Sequence, residues 1–166
     1  MSVQIEYRQA TQADAAAIGT VTVASRDRPR EHDGTAEGVA GGIAAYMAGT
    51  HHPRFALAPR RVWVSEHEGE VVGVIAVHLT TKQAFEAELQ TMFVRPDYQR
   101  RGIGTELLSL AVEWLCAQGA SSMMVGFHYD NPYRDFYLKH GGVLGAPSRF
   151  EWRVLEALRS SLQIHR

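Results

Sequence analysis

A chain of 166 residues has room for one domain with a buried core. Its net charge of −1 excludes a general nucleic-acid binder, which needs a large basic excess. The basic residues cluster instead, at Arg26 to Arg30, Arg60-Arg61 and Arg100-Arg101, which suits local anion sites. Cys116 is the only cysteine, so no intrachain disulfide forms, and it falls in an apolar helix pattern as a structural thiol. No apolar stretch approaches the ~20 residues that span a bilayer, and the first residues lack a basic segment leading into an apolar run. The expected setting is the cytosol, without a membrane partner.

Val3, Ile5 and Tyr7 alternate with polar residues and predict a first strand. Thr11-Gln12-Ala13-Asp14 resembles a capping box, opening an alanine-rich helix to about Ser25. A loop from Arg26 to Gly34 follows, broken by Pro29, and then a second helix from Thr35 to Ala48 that Gly38, Gly41 and Gly42 weaken. Arg61–His67 and Val71–Thr80 flank Glu68-Gly69-Glu70 as a hairpin. Glu86–Arg95 is a strand stopped by Pro96. Gly102–Gln118 carries Ile103, Leu107, Leu108, Ala111, Trp114 and Leu115 at helical spacing, with Gly119 as its stop. Met123–Phe127 reads as a short central strand, and Pro132–His140 as a short helix ending at Gly141-Gly142. In the tail, Phe150, Trp152 and Val154 alternate as in a strand, while Ser148 and Glu151 fit a helix cap. A strand to about Leu155 with a short helical end is expected. The order βααβββαβαβ implies one α/β domain with a mixed sheet over residues 1–166.

The run Val94-Arg95-Pro96-Asp97-Tyr98-Gln99-Arg100-Arg101-Gly102-Ile103-Gly104-Thr105 places a glycine- and arginine-rich loop between a strand and a helix N-terminus. Free N–H groups, the helix dipole and two arginines make this an anion site, sized for a pyrophosphate. It is not a P-loop, because no Lys-Ser or Lys-Thr pair follows the glycines. Nor is it a dinucleotide fingerprint, because Leu107 stands where the third glycine belongs. Gln99-x-x-Gly102-x-Gly104, with Val94-Arg95-Pro96 upstream, resembles the acetyl-CoA motif of the GNAT superfamily of N-acetyltransferases. Asn131-Pro132-Tyr133-Arg134-Asp135-Phe136-Tyr137, closing on Gly141-Gly142, is a second match. It departs from the family in lacking Gly-Phe at its end and in a short asparagine-to-tyrosine spacing.

The resemblance implies a mostly antiparallel twisted sheet flanked by helices, with a splayed central strand pair admitting acetyl-CoA as cosubstrate. Backbone groups of Met92, Phe93 and Val94 then meet the pantetheine amides and form an oxyanion hole. Gln99, Arg100, Arg101, Gly102, Ile103, Gly104 and Thr105 hold the pyrophosphate. Asn131 bonds the pantetheine arm or caps the helix that follows. Arg134 serves either the 3′-phosphate and adenine edge or a pair with Asp130 or Asp135. Tyr137 protonates the leaving thiolate, whose parent thiol has a pKa near ~8.5. The amine, mostly protonated with a pKa near ~10, needs a base or a water relay. Glu88 is the first candidate and Glu86 the second, both on one strand face by period-two alternation.

Eight histidines invite a metal, yet His51-His52 are adjacent and no His-Glu-x-x-His motif exists, so none is expected. His32, His51, His52 and Asp33 fall in the segment that shapes the acceptor pocket in this family. The expected reaction moves an acetyl group to a primary amine on a small molecule or a peptide. The alternative is a CoA-binding sensor without turnover. Family habit adds a possible homodimer through the C-terminal strand region.

Overall fold

The computed structural model describes residues 2–26, 34–127, 133–146 and 148–164. Among the described residues seven strands form one sheet in the order β1-β2-β3-β4-β5-β7-β6. The strands are β1 (Glu6–Gln9), β2 (Ala56–His67), β3 (Glu70–Thr80), β4 (Ala87–Val94), β5 (Met123–Gly126), β6 (Val143–Gly145) and β7 (Arg149–Trp152). Every neighbouring pair is antiparallel except β4 and β5. The helices are α1 (Ala15–Ala24), α2 (Ala36–Ala48), α3 (Ile103–Ala117), α4 (Arg134–Lys139) and α5 (Leu155–Ile164).

Two cores follow from the apolar patterns of the strands. On one face, Ile75, Val77, Leu89, Met92 and Val94 pack with Leu107, Leu108, Ala111 and Leu115 of α3 and with Leu155, Leu158 and Leu162 of α5. On the other, Val62, Val64, Val74 and Ala76 meet Ile18 and Val21 of α1 and Ile43 and Tyr46 of α2. Both layers exclude water from a β-branched sheet, the main favourable term in such a domain.

Local signals set most boundaries. The Thr11 N–H donates to the Asp14 carboxylate at 2.8 Å, ahead of α1, and the Thr35 hydroxyl accepts from the Gly38 N–H at 3.1 Å at the start of α2. The first strand begins at Glu6, three residues later than Val3, the first of the alternating residues. β6 lacks any alternation long enough to read, being three residues long. The tail turns into a ten-residue helix after Trp152, because Leu155, Leu158 and Leu162 bury a stripe on the α3 face. The loop expected after Arg26 lies mostly outside the described residues, as do Asn131 and Pro132.

Two features of β4 position everything that follows. Its register against β3 shifts between Ala76 and Val77, leaving Gln90 as an extra residue. This bulge sets Glu88, Thr91 and Phe93 towards α1 and α2, and Leu89, Met92 and Val94 towards α3. β4 also pairs with β5 only at Ala87–Met123 and Glu88–Met124. Beyond those two pairs the strands part.

Candidate active site

The turn after β4 is shaped by its backbone. Arg100 and Gly102 take left-handed φ of 62° and 82°, and Gly102 caps α3. Alternating backbone hands of this kind turn successive N–H groups into one concavity, and a residue with a Cβ costs about 1–2 kcal/mol at such a φ. Gly104 sits close under Phe136, so that a Cβ there would meet the ring at 3.3 Å and push it by a few tenths of an ångström. The Gln99 side chain folds back and donates to the Val94 carbonyl at 2.9 Å, fixing the turn to the end of β4.

A cleft of about 630 Å³ opens along this turn. Its walls include Met92, Val94, Gln99, Arg100, Gly102, Ile103, Gly104 and Thr105, eight of the residues singled out by sequence. Arg101 is not a wall; its guanidinium lies 5.1 Å from the Tyr98 ring centroid. Arg134 opens α4 and does not wall the cleft, whereas Lys139 of the same helix does. Asn131 and Asp130 lie outside the described residues.

Tyr133 was not foreseen. Its hydroxyl accepts from the Val94 N–H at 2.9 Å and donates to the Val94 carbonyl at 3.2 Å. Those groups point away from β3, into the gap left by the parting of β4 and β5. The gap is therefore bordered by main-chain polar groups and a phenol. The sequence signal was a tyrosine one turn before Tyr137, on the same helical face.

Tyr137 is 2% exposed, among Phe136, Phe150 and Trp152, and does not wall the cleft. Burial, with Tyr133 nearby, pushes its hydroxyl well above the ordinary tyrosine value, so it keeps its proton at neutral pH. The departure at Gly142 has a packing cause. A Cβ there falls 2.9 Å from both the Trp152 ring and the Tyr137 carbonyl, so Trp152 fills the space beside the glycine.

The two glutamates separate. Glu86 precedes β4, and its carboxylate accepts from the Ser121 N–H and hydroxyl, both at 2.7 Å. These bonds hold its carboxyl below the usual range, and they tie β4 to the turn after α3. Glu86 and Glu88 do not act from one site. Glu88 is buried, with its carboxylate 3.3 Å from Lys82 Nζ and 3.6 Å from His78 Nε2. Burial works to raise its carboxyl, yet His78 and Lys82 hold it below the ordinary glutamate value.

His78 is fully buried on β3, opposite Glu88, and its Nδ1 lies 2.9 Å from the Tyr46 hydroxyl of α2. Tyr46 in turn lines a second cleft of about 220 Å³, with Ile43, His51, Gln90, Thr91 and Phe93 among its walls. The Phe93 side chain lines this cleft too, and its ring meets the Tyr133 ring edge-on, with centroids 5.8 Å apart. His51 reaches this cleft; His52 instead meets the Arg60 guanidinium through Nδ1 at 2.8 Å. His32 and Asp33 lie outside the described residues. Among the described residues no group of three metal-ligating side chains comes together, and no helix is long and apolar enough to cross a membrane. Alternate residues of one strand thus wall two clefts on opposite sides of the sheet.

Solved structures share this architecture. The PaiA N-acetyltransferase from Thermoplasma acidophilum, in complex with coenzyme A, superposes with a TM-score of 0.68 at 18% identity, covering 89% of this chain and 96% of its own. A GNAT family acetyltransferase from Brucella melitensis, in complex with acetyl-CoA, gives 0.57 at 26% identity, covering 81% and 82%. Ard1 from Thermoplasma volcanium gives 0.66 at 18% identity, covering 90% and 95%. No curated protein sequence matches. The profile described as the Acetyltransferase (GNAT) family matches residues 30–142, which holds β2 to β5, the turn after β4 and α4. The chain belongs to that family.

Proposed function

We propose that this protein transfers the acetyl group of acetyl-CoA directly to a primary amine. The observation that carries the reading is the cleft that runs from the end of β4, beyond its last pair with β5, along the Gln99–Thr105 turn. A thioester arm laid in that cleft displaces the Tyr133 hydroxyl from the Val94 peptide groups and pairs with them as an added strand would, while the diphosphate sits on the amides of the turn. The relatives solved with coenzyme A and with acetyl-CoA support the same cosubstrate.

The acceptor enters from the α1–α2 side, where the second cleft borders the bulge of β4. At about 220 Å³ this cleft suits a small amine or the tip of a peptide rather than a folded surface. Glu88 is the acidic group towards which the amine's proton is drawn. Tyr137, which keeps its proton at neutral pH, is the donor to the departing thiolate.

Release of free thiol from acetyl-CoA tests the reading, with spermidine, ethanolamine and a peptide with a free N-terminal serine as acceptors. Amine-dependent thiol release and an acetylated product are expected. Tight coenzyme A binding without acetylation of any amine would instead favour a sensor.

A further inference from the structure

Glu88 does not wall the acceptor cleft, and both it and Tyr46 are buried. Tyr46 does wall it, and between the two stands His78, with no exposed surface. The three span α2, β3 and β4 in a line, with 2.9 Å from Tyr46 Oη to His78 Nδ1 and 3.6 Å from His78 Nε2 to Glu88 Oε2. Both facing atoms of the second contact are buried and lack any hydrogen-bond partner. A buried imidazole nitrogen and a buried carboxylate oxygen left unsatisfied are costly unless they serve each other.

We infer that Tyr46 is a further catalytic residue, which receives the proton of the acceptor amine and passes its own through His78 towards Glu88. The direction follows from hydrogen-bonding capacity. An ionised carboxylate only accepts, so the proton on the His78 ring sits on Nε2 and faces Glu88. Nδ1 then has a lone pair and accepts from the Tyr46 O–H. That leaves the Tyr46 oxygen lone pairs for the cleft, where an ammonium N–H donates to them.

The step balances. One proton leaves the ammonium for Tyr46 Oη as the tyrosine proton moves to His78 Nδ1, forming an imidazolium beside the Glu88 carboxylate. The freed amine lone pair forms the C–N bond to the acetyl carbon, and the C–S bond breaks to a thiolate. The thiolate takes a proton from Tyr137, which is restored by the second proton of the acylated nitrogen, leaving a neutral amide, and the relay passes its own proton back through Tyr46 to solvent. Burial keeps Tyr46 a phenol at neutral pH, so it acts as a conduit and never rests as phenolate. The surroundings are cationic as well as acidic. Arg60 of β2 lies 4.6 Å from the Tyr46 ring centroid, His51 and Arg26 line the cleft, and Lys82 faces Glu88.

This inference rests on the acetyl-transfer reading, and two measurements separate their fates. The ¹⁵N resonances of the His78 ring in the wild-type protein need no acceptor. A proton on Nε2 with Nδ1 as acceptor is expected, and a proton on Nδ1 would overturn the relay even if acetylation stands. The second measurement is the pH profile of Y46F, with whichever of spermidine, ethanolamine and the serine peptide the wild type uses fastest. Near neutral pH kcat is expected to fall at least ~10²-fold with the KM for acetyl-CoA unchanged. The deficit should shrink towards pH ~10, where the amine is already free. A deficit equal at every pH, with the melting temperature lowered, would mark Tyr46 as structural and contradict the inference.

Discussion

The two sides of β4 are built by different means. On the α3 side the cleft is made largely of main chain: two left-handed residues, a glycine beside Phe136, and the Val94 peptide groups, held by Tyr133 and Gln99 where β4 leaves β5. On the α1–α2 side the work falls to side chains from separate elements, Tyr46 from α2, His78 from β3 and Glu88 from β4. The first kind of site recognises what every member of a cosubstrate class shares, a diphosphate and an amide-bearing arm. The second kind positions protons and can differ from one acceptor to the next without disturbing the cosubstrate. The bulge at Gln90 lets one strand serve both, because it keeps Glu88, Thr91 and Phe93 on a common face.

If that division is correct, substitutions on the two sides separate binding from turnover. The largest effect is expected for E88Q: kcat falls ~10²–10⁴-fold while the acetyl-CoA Kd, read by calorimetry, stays within a factor of about two. A large rise in Kd would break the comparison. Y137F comes next, with kcat lowered about 10²-fold. Y133F serves as its control, since it removes a phenol that holds Val94. Y133F is expected to cost about 1 kcal/mol of stability with a much smaller loss of kcat.

G102V places a β-branched side chain at a φ of 82°, inside the amide concavity. Acetyl-CoA Kd is expected to rise at least ~10-fold, about 1.4 kcal/mol, with the residual kcat at saturation little changed.

The smallest effect sharpens the comparison from outside both clefts. Asp14 is bound by Arg8 through two contacts of 2.8 Å and by the Thr11 N–H, ahead of the helix that walls the acceptor side. D14N should cost about 1–2 kcal/mol at neutral pH in urea unfolding, the lower part of that range because Arg8 is 41% exposed. Arg8 holds the Asp14 carboxyl below its ordinary value against the effect of burial. Its contribution is therefore complete above about pH 4, the unfolded value, and is lost as pH falls through the lower folded one. The gap between D14N and wild type should close over that acid range, with acetyl-CoA affinity unaffected throughout.

How legible each side was in the sequence follows from the same contrast. Gln99, Gly102 and Gly104 are close in the chain and each has a backbone or steric reason to be where it is. A site of that kind leaves its spacing in the sequence. The hairpin at Glu68-Gly69, the start of α2 at Thr35 and the stop at Gly119 were legible for the same local reasons. Tyr46, His78 and Glu88 are separated by 32 and 10 positions, and only the β3–β4 register and the α2 packing bring them together. A histidine within the apolar run Val71–Thr80 was the available signal, but a strand pattern alone does not say what it faces. Period-two alternation put Glu86 beside Glu88, whereas Glu86 precedes β4 and is bound by Ser121. The tail, read as a strand followed by a short helix, kept its boundary and helix length hidden for a different reason. Its apolar residues alternate over only four strand positions before a helix takes over, too short for either period to dominate.

A crystal structure with acetyl-CoA bound tests the central claim most directly. The account predicts the diphosphate on the amides of residues 100–105, the pantetheine arm against Val94 between β4 and β5, and the acetyl carbon at the bulge facing Tyr46. A cosubstrate seated elsewhere, with that turn empty and the strands closed, would contradict it.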